Sequence, residues 1–213
     1  ARCEFYVTPL IGYTCELNDV TVTEENQEVV INTDNHQDSF TDDDVVHFLI
    51  NSETVSLQFF PNSILRQFSN IHTFVLDRSG LTQLPVFESC LNLNVMFVRH
   101  SLIPNIPARV FDACENLKVL DLSDNLITDI DDDAFVNLQL LELFIDNNLI
   151  SRINNRVFRN QVELEDLTLR FNQISEIEDG AFGDLHNLLT FYLRSYAITE
   201  LRPEMFGEEI SLV

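Results

Sequence analysis

Six phenylalanines recur along this 213-residue chain, Phe87, Phe111, Phe135, Phe158, Phe182 and Phe206, at intervals of 24, 24, 23, 24 and 24 residues. A period of roughly 20 to 29 residues with apolar positions in fixed register means that one unit is built and then stacked on its neighbour. Each coil leaves an apolar edge that only an adjacent coil can cover. The period therefore predicts one elongated solenoid, and nothing interrupts it between about Val45 and Phe206.

Composition narrows the class. Apolar residues make up 45% of the chain, ample for a core, while Gly and Pro together number only 11, too few for a disordered or collagen-like chain. No apolar run reaches the roughly 18 residues needed to span a bilayer, so direct membrane insertion is not expected. No signal peptide stands at Ala1, and any export signal has been removed or lies outside this numbering. Twelve basic residues against 35 acidic ones give a net charge of −23, and Lys118 is the one lysine. A field of that sign opposes nucleic acid and anionic lipid. It suits a cationic partner, or simply solvates outer loops such as Asp131-Asp132-Asp133.

The four cysteines form two pairs. Cys3 and Cys15 precede the repeat, where a first coil needs covering. Cys90 and Cys114 follow the phenylalanines at one offset, as Phe87-x-x-Cys90 and Phe111-x-x-Cys114. Equivalent positions in adjacent coils lie about 4.8 Å apart, within the roughly 4.4–6.8 Å a disulfide tolerates. The alternative is two buried thiols in a leucine position, since Leu138 and Leu185 share the offset. Two bridges would indicate an oxidising, extracellular compartment. Neither pair has the close ligand spacing of a zinc site.

The units align as Leu117-x-x-Leu120-x-Leu122-x-x-Asn125-x-Ile127-x-x-Ile130, then Phe135. The next are Leu140, Leu143, Ile145, Asn148, Ile150, Ile153, Phe158, and Leu164, Leu167, Leu169, Asn172, Ile174, Ile177, Phe182. The last is Leu188, Phe191, Leu193, Tyr196, Ile198, Leu201, Phe206. Looser units precede them: Ile71 to Phe87 with Ser79, Leu93 to Phe111 with Ser101, and a degenerate one through Val45, Phe48, Ile50 and Val55. This pattern resembles the leucine-rich repeat family over about three-quarters of the chain. The resemblance implies an α/β solenoid of about seven coils over 45–206 with a curved parallel sheet on its concave face. Period-two alternation makes each Leu-x-Leu a short strand with one face inward. The inward asparagine satisfies backbone groups that the coil would otherwise bury unpaired. Serine at 79 and 101 is shorter, and Tyr196 implies an altered turn.

Residues 1–44 do not fit the period. With Cys3, Cys15, Val20-Thr21-Val22 and Val29-Val30-Ile31 they read as a disulfide-pinned amino-terminal cap with two short strands. The cap resembles that of secreted insect members of the family. Asp34-Asn35-His36-Gln37-Asp38 with Asp42-Asp43-Asp44 lacks the glycine and closing glutamate of an EF-hand loop and reads as a solvated acidic loop, so no metal is expected. The tail 207–213 is hardly long enough to cap the last coil. Phe191, Leu193, Ile198 and Leu201 would then be exposed for self-association, a homodimer about a two-fold axis being one outcome.

Members of this family bind macromolecules on the concave face, which directs attention to the outward strand positions. One column reads Leu49, Val75, Phe97, Asp121, Phe144, Thr168, Tyr192. The next reads Asn51, Asp77, Arg99, Ser123, Asp146, Arg170, Arg194, and the third Ser52, Arg78, His100, Asp124, Asn147, Phe171, Ser195. Phe97, Phe144, Phe171 and Tyr192 project there beside Arg99, His100, Arg170 and Arg194, the residue types that protein interfaces concentrate at their centre. The competing account is cross-strand pairing that stabilises a curved sheet. No nucleophile elbow, phosphate loop or His-Glu-x-x-His is present, and five histidines scatter over different coils. The expectation is a non-enzymatic protein-binding module without cofactor, secreted or on the cell surface, serving innate immune recognition or signalling. The rivals are a self-associating structural protein and a fragment of a larger receptor ectodomain. There is no Asn-x-Ser/Thr sequon.

Overall fold

A computed structural model describes residues 2–8, 12–25, 27–33, 36, 40–50, 55–195 and 197–207. Nine strands form one sheet in chain order: Arg2–Thr8, Gly12–Asn18, His47–Ile50, Thr73–Asp77, Val95–Arg99, Val119–Asp121, Glu142–Phe144, Asp166–Thr168 and Thr190–Tyr192. Only the first pair is antiparallel; every later pairing is parallel. A parallel neighbour requires the chain to return to the same end, and the convex side of each coil supplies that return. Six regular coils follow the degenerate one.

The convex side holds less helix than the α/β class implies. Among the described residues it has one five-residue α-helix, Ser63–Gln67, and two 3-10 turns, Asp42–Asp44 and Pro203–Phe206. Elsewhere the return is made by consecutive turns and two-residue strands such as Asn105–Ile106 and Asp129–Ile130. The phenylalanines pin these turns to the core. Phe111, Phe135, Phe158 and Phe182 are buried and stack on one another with centroids 6.3, 6.4 and 5.9 Å apart. Phe87 instead packs against Phe60 and Phe74. The disulfide Cys90–Cys114, Cα–Cα 4.8 Å, joins the coils of Phe87 and Phe111. Closing a loop of this size stabilises by about 3 kcal/mol.

At the amino end, Cys3 and Cys15 are bridged within the hairpin, Cα–Cα 5.3 Å. Cys15 and Leu17 lie opposite Phe48 and Ile50, and Val20–Val22 lies parallel to Val55–Leu57. Cys15 and Leu17 thus occupy the inward positions that Phe48 and Ile50 hold one coil later. Val29–Ile31 is not the strand that its apolar run suggests, because its neighbour is the short helix. Ser63 Oγ accepts from Val29 N–H and donates to Val29 C=O, at 3.0 and 2.8 Å. Gln67 does the same for Ile31, at 3.2 and 3.0 Å. Side chains one helical turn apart here replace a sheet ladder. Asp34, Asn35, Gln37 and Asp38 of the acidic loop lie outside the described residues; His36 Nε2 meets Asp42 at 2.7 Å.

The asparagine ladder works across coils. Asn125, Asn148 and Asn172 donate back to Val98, Leu122 and Ile145 carbonyls at 2.7, 3.0 and 2.9 Å. Their side-chain oxygens accept from Ile103, Ile127 and Ile150 N–H. Ser79 and Ser101, too short for that reach, hydrogen-bond to each other at 3.2 Å. Tyr196 lies outside the described residues. Gln161 occupies the Cys90/Cys114 offset, a buried polar group that the repeat pattern hides. Its Nε2 donates to Phe135 and Leu138 carbonyls at 2.9 and 3.0 Å.

Candidate functional site

The register of the sheet assembles the first outward column as aligned: Leu49 opposite Val75, then Phe97, Asp121, Phe144, Thr168 and Tyr192. In the second column Asp77 faces Arg99; Asn51 and Ser52 lie outside the described residues. Three outward assignments need correction: Ser123, Asp146 and Thr168 are buried. Asp146 accepts from the Arg170 N–H at 2.7 Å and from its guanidinium at 2.8 Å.

In the third column five consecutive non-glycine residues have left-handed backbone: Arg78, His100, Asp124, Asn147 and Phe171, with φ between 49° and 58°. Each N–H donates to a carbonyl of the next coil, on Arg99, Ser123, Asp146, Arg170 and Arg194. Those bonds hold a conformation that Asp and Asn tolerate and a bulky residue such as Phe171 adopts only under constraint. The side chains consequently stand proud of the strand edge. The residue types gave no signal of this, since only Asp124 and Asn147 suit such a conformation. Leu102, Leu126 and Leu149, passed over in the column reading, form an exposed row just beyond.

Arginines and aromatic rings are paired on this face. Arg99 lies over Phe97 at 5.0 Å, Arg170 over Tyr192 at 5.1 Å and Arg194 over Phe171 at 5.3 Å. Arg99 also reaches Asp77 and Asp121 at 3.9 and 3.7 Å. His100 is clamped between Asp77 at 2.7 Å and Asp124 at 3.5 Å. Tyr192 is 51% exposed and Phe171 46%. Every member of the partner-binding set therefore lies on the concave face or its edge. Each ring and its guanidinium thus hold one another in place.

The self-association residues differ from their counterparts one coil earlier. Leu167, Leu169 and Ile174 are fully buried, whereas Phe191, Leu193 and Ile198 are half-buried and Leu201 is 45% exposed. Phe191 retains Phe182 and Phe206 as ring neighbours at 5.0 and 5.9 Å. Residues 208–213 lie outside the described set. Among the described residues no helix is long and apolar enough to cross a membrane.

The profile of the BspA type leucine-rich repeat region matches residues 82–213 in six copies. No curated protein matches the chain in sequence. Among solved structures, a Leptospira interrogans leucine-rich repeat protein superposes with a TM-score of 0.62 at 24% identity, over 71% of this chain and 37% of that one. Toll, in its Drosophila complex with Spatzle, gives 0.56 at 18% identity, over 71% and 27%. The TLR13 chain in complex with ssRNA13 gives 0.54 at 21% identity, over 71% and 25%. The chain spans about a quarter of the Toll chain. At these identities the likeness is one of fold.

Proposed function

Because the chain belongs to the BspA type leucine-rich repeat family, we propose that it is a non-catalytic, extracellular protein-binding module that takes its partner on the concave strand face. The observation that carries this reading is the set of three arginine–aromatic pairs on that face. Half-exposed rings with guanidinia laid over them are the residue types that interfaces concentrate at their centre. Two disulfides support an oxidising compartment. The Toll neighbour, a hub in development and innate immunity solved with Spatzle, lends support to recognition in immunity or cell-surface signalling. An RNA partner such as the TLR13 neighbour holds is disfavoured here by the net charge of −23.

The test is capture from the extracellular fluid of the source organism, followed by affinity measurement on the captured protein. The double variant Phe97→Ala, Tyr192→Ala is expected to weaken binding at least a hundredfold while the melting temperature stays within a few degrees. Asp131→Asn with Asp132→Asn on the convex side should alter only the salt dependence of association. Equal losses from both doubles would refute a concave site.

A second reading, self-association through the last coil, draws support from the exposure of Leu201 and the half-buried Phe191, Leu193 and Ile198. Sedimentation in salt high enough to screen repulsion should then show a dimer that Leu201→Glu dissociates. A monomer at high concentration rules this reading out.

A further inference from the structure

Four aromatic side chains project from the concave side, and three already carry an arginine of this chain over the ring. Phe144 is the fourth. Among the described residues no cation lies over it, yet it has the most acidic surroundings of the four. Strand alternation puts Glu142 on the same face two residues before Phe144, and Asp166 two residues before Thr168. The register sets Glu142 beside Asp166, and Phe144 between Asp121 and Thr168. Three acidic residues thus occupy positions next to one half-buried ring on the same face. The Glu142 and Asp166 carboxylates make no ion pair or hydrogen bond among the described residues, in contrast to those of Asp77, Asp121 and Asp146, each of which meets an arginine.

A further observation points to a missing group at the same place. The Thr168 hydroxyl oxygen is enclosed beside Phe144 without any hydrogen-bond partner, and Thr168 is only 3% exposed. Buried hydroxyls are ordinarily satisfied, and an exception calls for an explanation. A guanidinium laid over Phe144 has donors to spare for that oxygen and for two carboxylates at once. The Thr168 oxygen is enclosed, so a guanidinium reaches it once a neighbouring side chain moves aside. The protein shows the same arrangement with its own side chain two strands away, where Arg99 stacks on Phe97 and reaches Asp77 and Asp121.

We propose that Phe144, Glu142, Asp166 and Thr168 form a seat for an arginine side chain of the protein partner. This deepens the concave-face reading and rests on it. Arginine is favoured over lysine because the planar guanidinium stacks on a ring while its edge still donates to carboxylates. The seat also gives the acidic body a local use: the long-range field draws in a basic segment, and the ring with its carboxylates fixes one residue of it.

The probe is an N-acetylated, C-amidated Gly-Arg-Gly tripeptide titrated to millimolar concentration against protein with labelled phenylalanine rings, followed by NMR. The Phe144 ring signals should shift and saturate, and the citrulline tripeptide, neutral and of equal shape, should leave them unmoved. Glu142→Gln with Asp166→Asn should weaken the arginine peptide at least fivefold, and Phe144→Leu should do likewise. Asp131→Asn with Asp132→Asn, which removes the same charge from the convex side, should change affinity less than twofold. Equal losses in the two charge-removing doubles, shifts that miss Phe144, an equal response to citrulline or no shift at all would each overturn the proposal. If the seat fails while Phe97→Ala, Tyr192→Ala still abolishes capture, the concave reading stands and its anchor is another chemistry.

Discussion

Replacing Phe135 with alanine is expected to cost about 3–5 kcal/mol in chemical denaturation. Phe135 is 1% exposed and sits in the middle of the ring stack, 6.3 Å from Phe111 and 6.4 Å from Phe158. A cavity at that place borders two coils, and neither can close it without shifting against its other neighbour. The strand side of those coils is held in register by the sheet, so collapse is resisted from both directions. Stability in a stacked array is a sum of coil and interface terms. The loss should therefore fall on two interfaces at once, and a central coil should suffer more than a terminal one. Phe206→Ala, at 7% exposure with one fewer coil against it, is expected to lose less. A cost below about 1 kcal/mol at Phe135 would mean that the convex turns are not pinned by these rings.

The repeat made most of the concave face legible in advance. Inward and outward positions of each strand follow from period-two alternation, and the columns follow from stacking units at a constant offset. Phe97, Asp121, Phe144, Thr168 and Tyr192 line up for that reason alone. What the columns could not show is how side chains lean between them. Two of the arginine–aromatic pairs join the second column to the first and one joins it to the third, and all depend on rotamers that no spacing encodes. The left-handed residues were hidden for another reason. At Arg78, His100 and Phe171 the backbone is set by inter-coil N–H bonds, against the preference of the residue. Val29–Ile31 misled through its composition, because an extended apolar segment pairs with whatever lies beside it. Here that was Ser63 and Gln67 of a helix. The Gly12–Asn18 strand joins the parallel sheet although Cys15 and Leu17 stand outside the repeat pattern, since a sheet edge selects for shape and inward apolarity, which cysteine also provides.

Asn148→Leu should destabilise the protein by more than an ordinary interior change, although it preserves volume and adds apolar character. Asn148 is 3% exposed, and its amide serves two backbone groups of the preceding coil. Nδ2 donates to the Leu122 carbonyl at 3.0 Å and Oδ1 accepts from Ile127 N–H at 3.0 Å. Leucine fills the space but orphans the Ile127 N–H, while the Leu122 carbonyl keeps Asn125 Nδ2 as a donor at 3.0 Å, so a loss of about 1–3 kcal/mol is expected. Hydrophobic substitution ordinarily stabilises an interior, and a large loss here would show that polar satisfaction, not packing, fixes the turn. The neighbouring asparagines cannot take over the Ile127 N–H, because the side-chain oxygens of Asn125 and Asn172 already accept from Ile103 and Ile150. Asn148→Ser should recover little of the loss. Ser79 and Ser101 have each other at 3.2 Å and Ser101 Oγ also donates to the Arg99 carbonyl, whereas a serine at 148 would be too short to accept from the Ile127 N–H. Asn148→Asp keeps the acceptor for Ile127 N–H but turns a second lone-pair oxygen towards the Leu122 carbonyl, and it is expected to be the worst of the three. Hydrogen exchange at Ile127 would report the break directly. If the leucine variant lost under about 1 kcal/mol and Ile127 stayed protected, the ladder would be dispensable and the coils would be held by their rings alone.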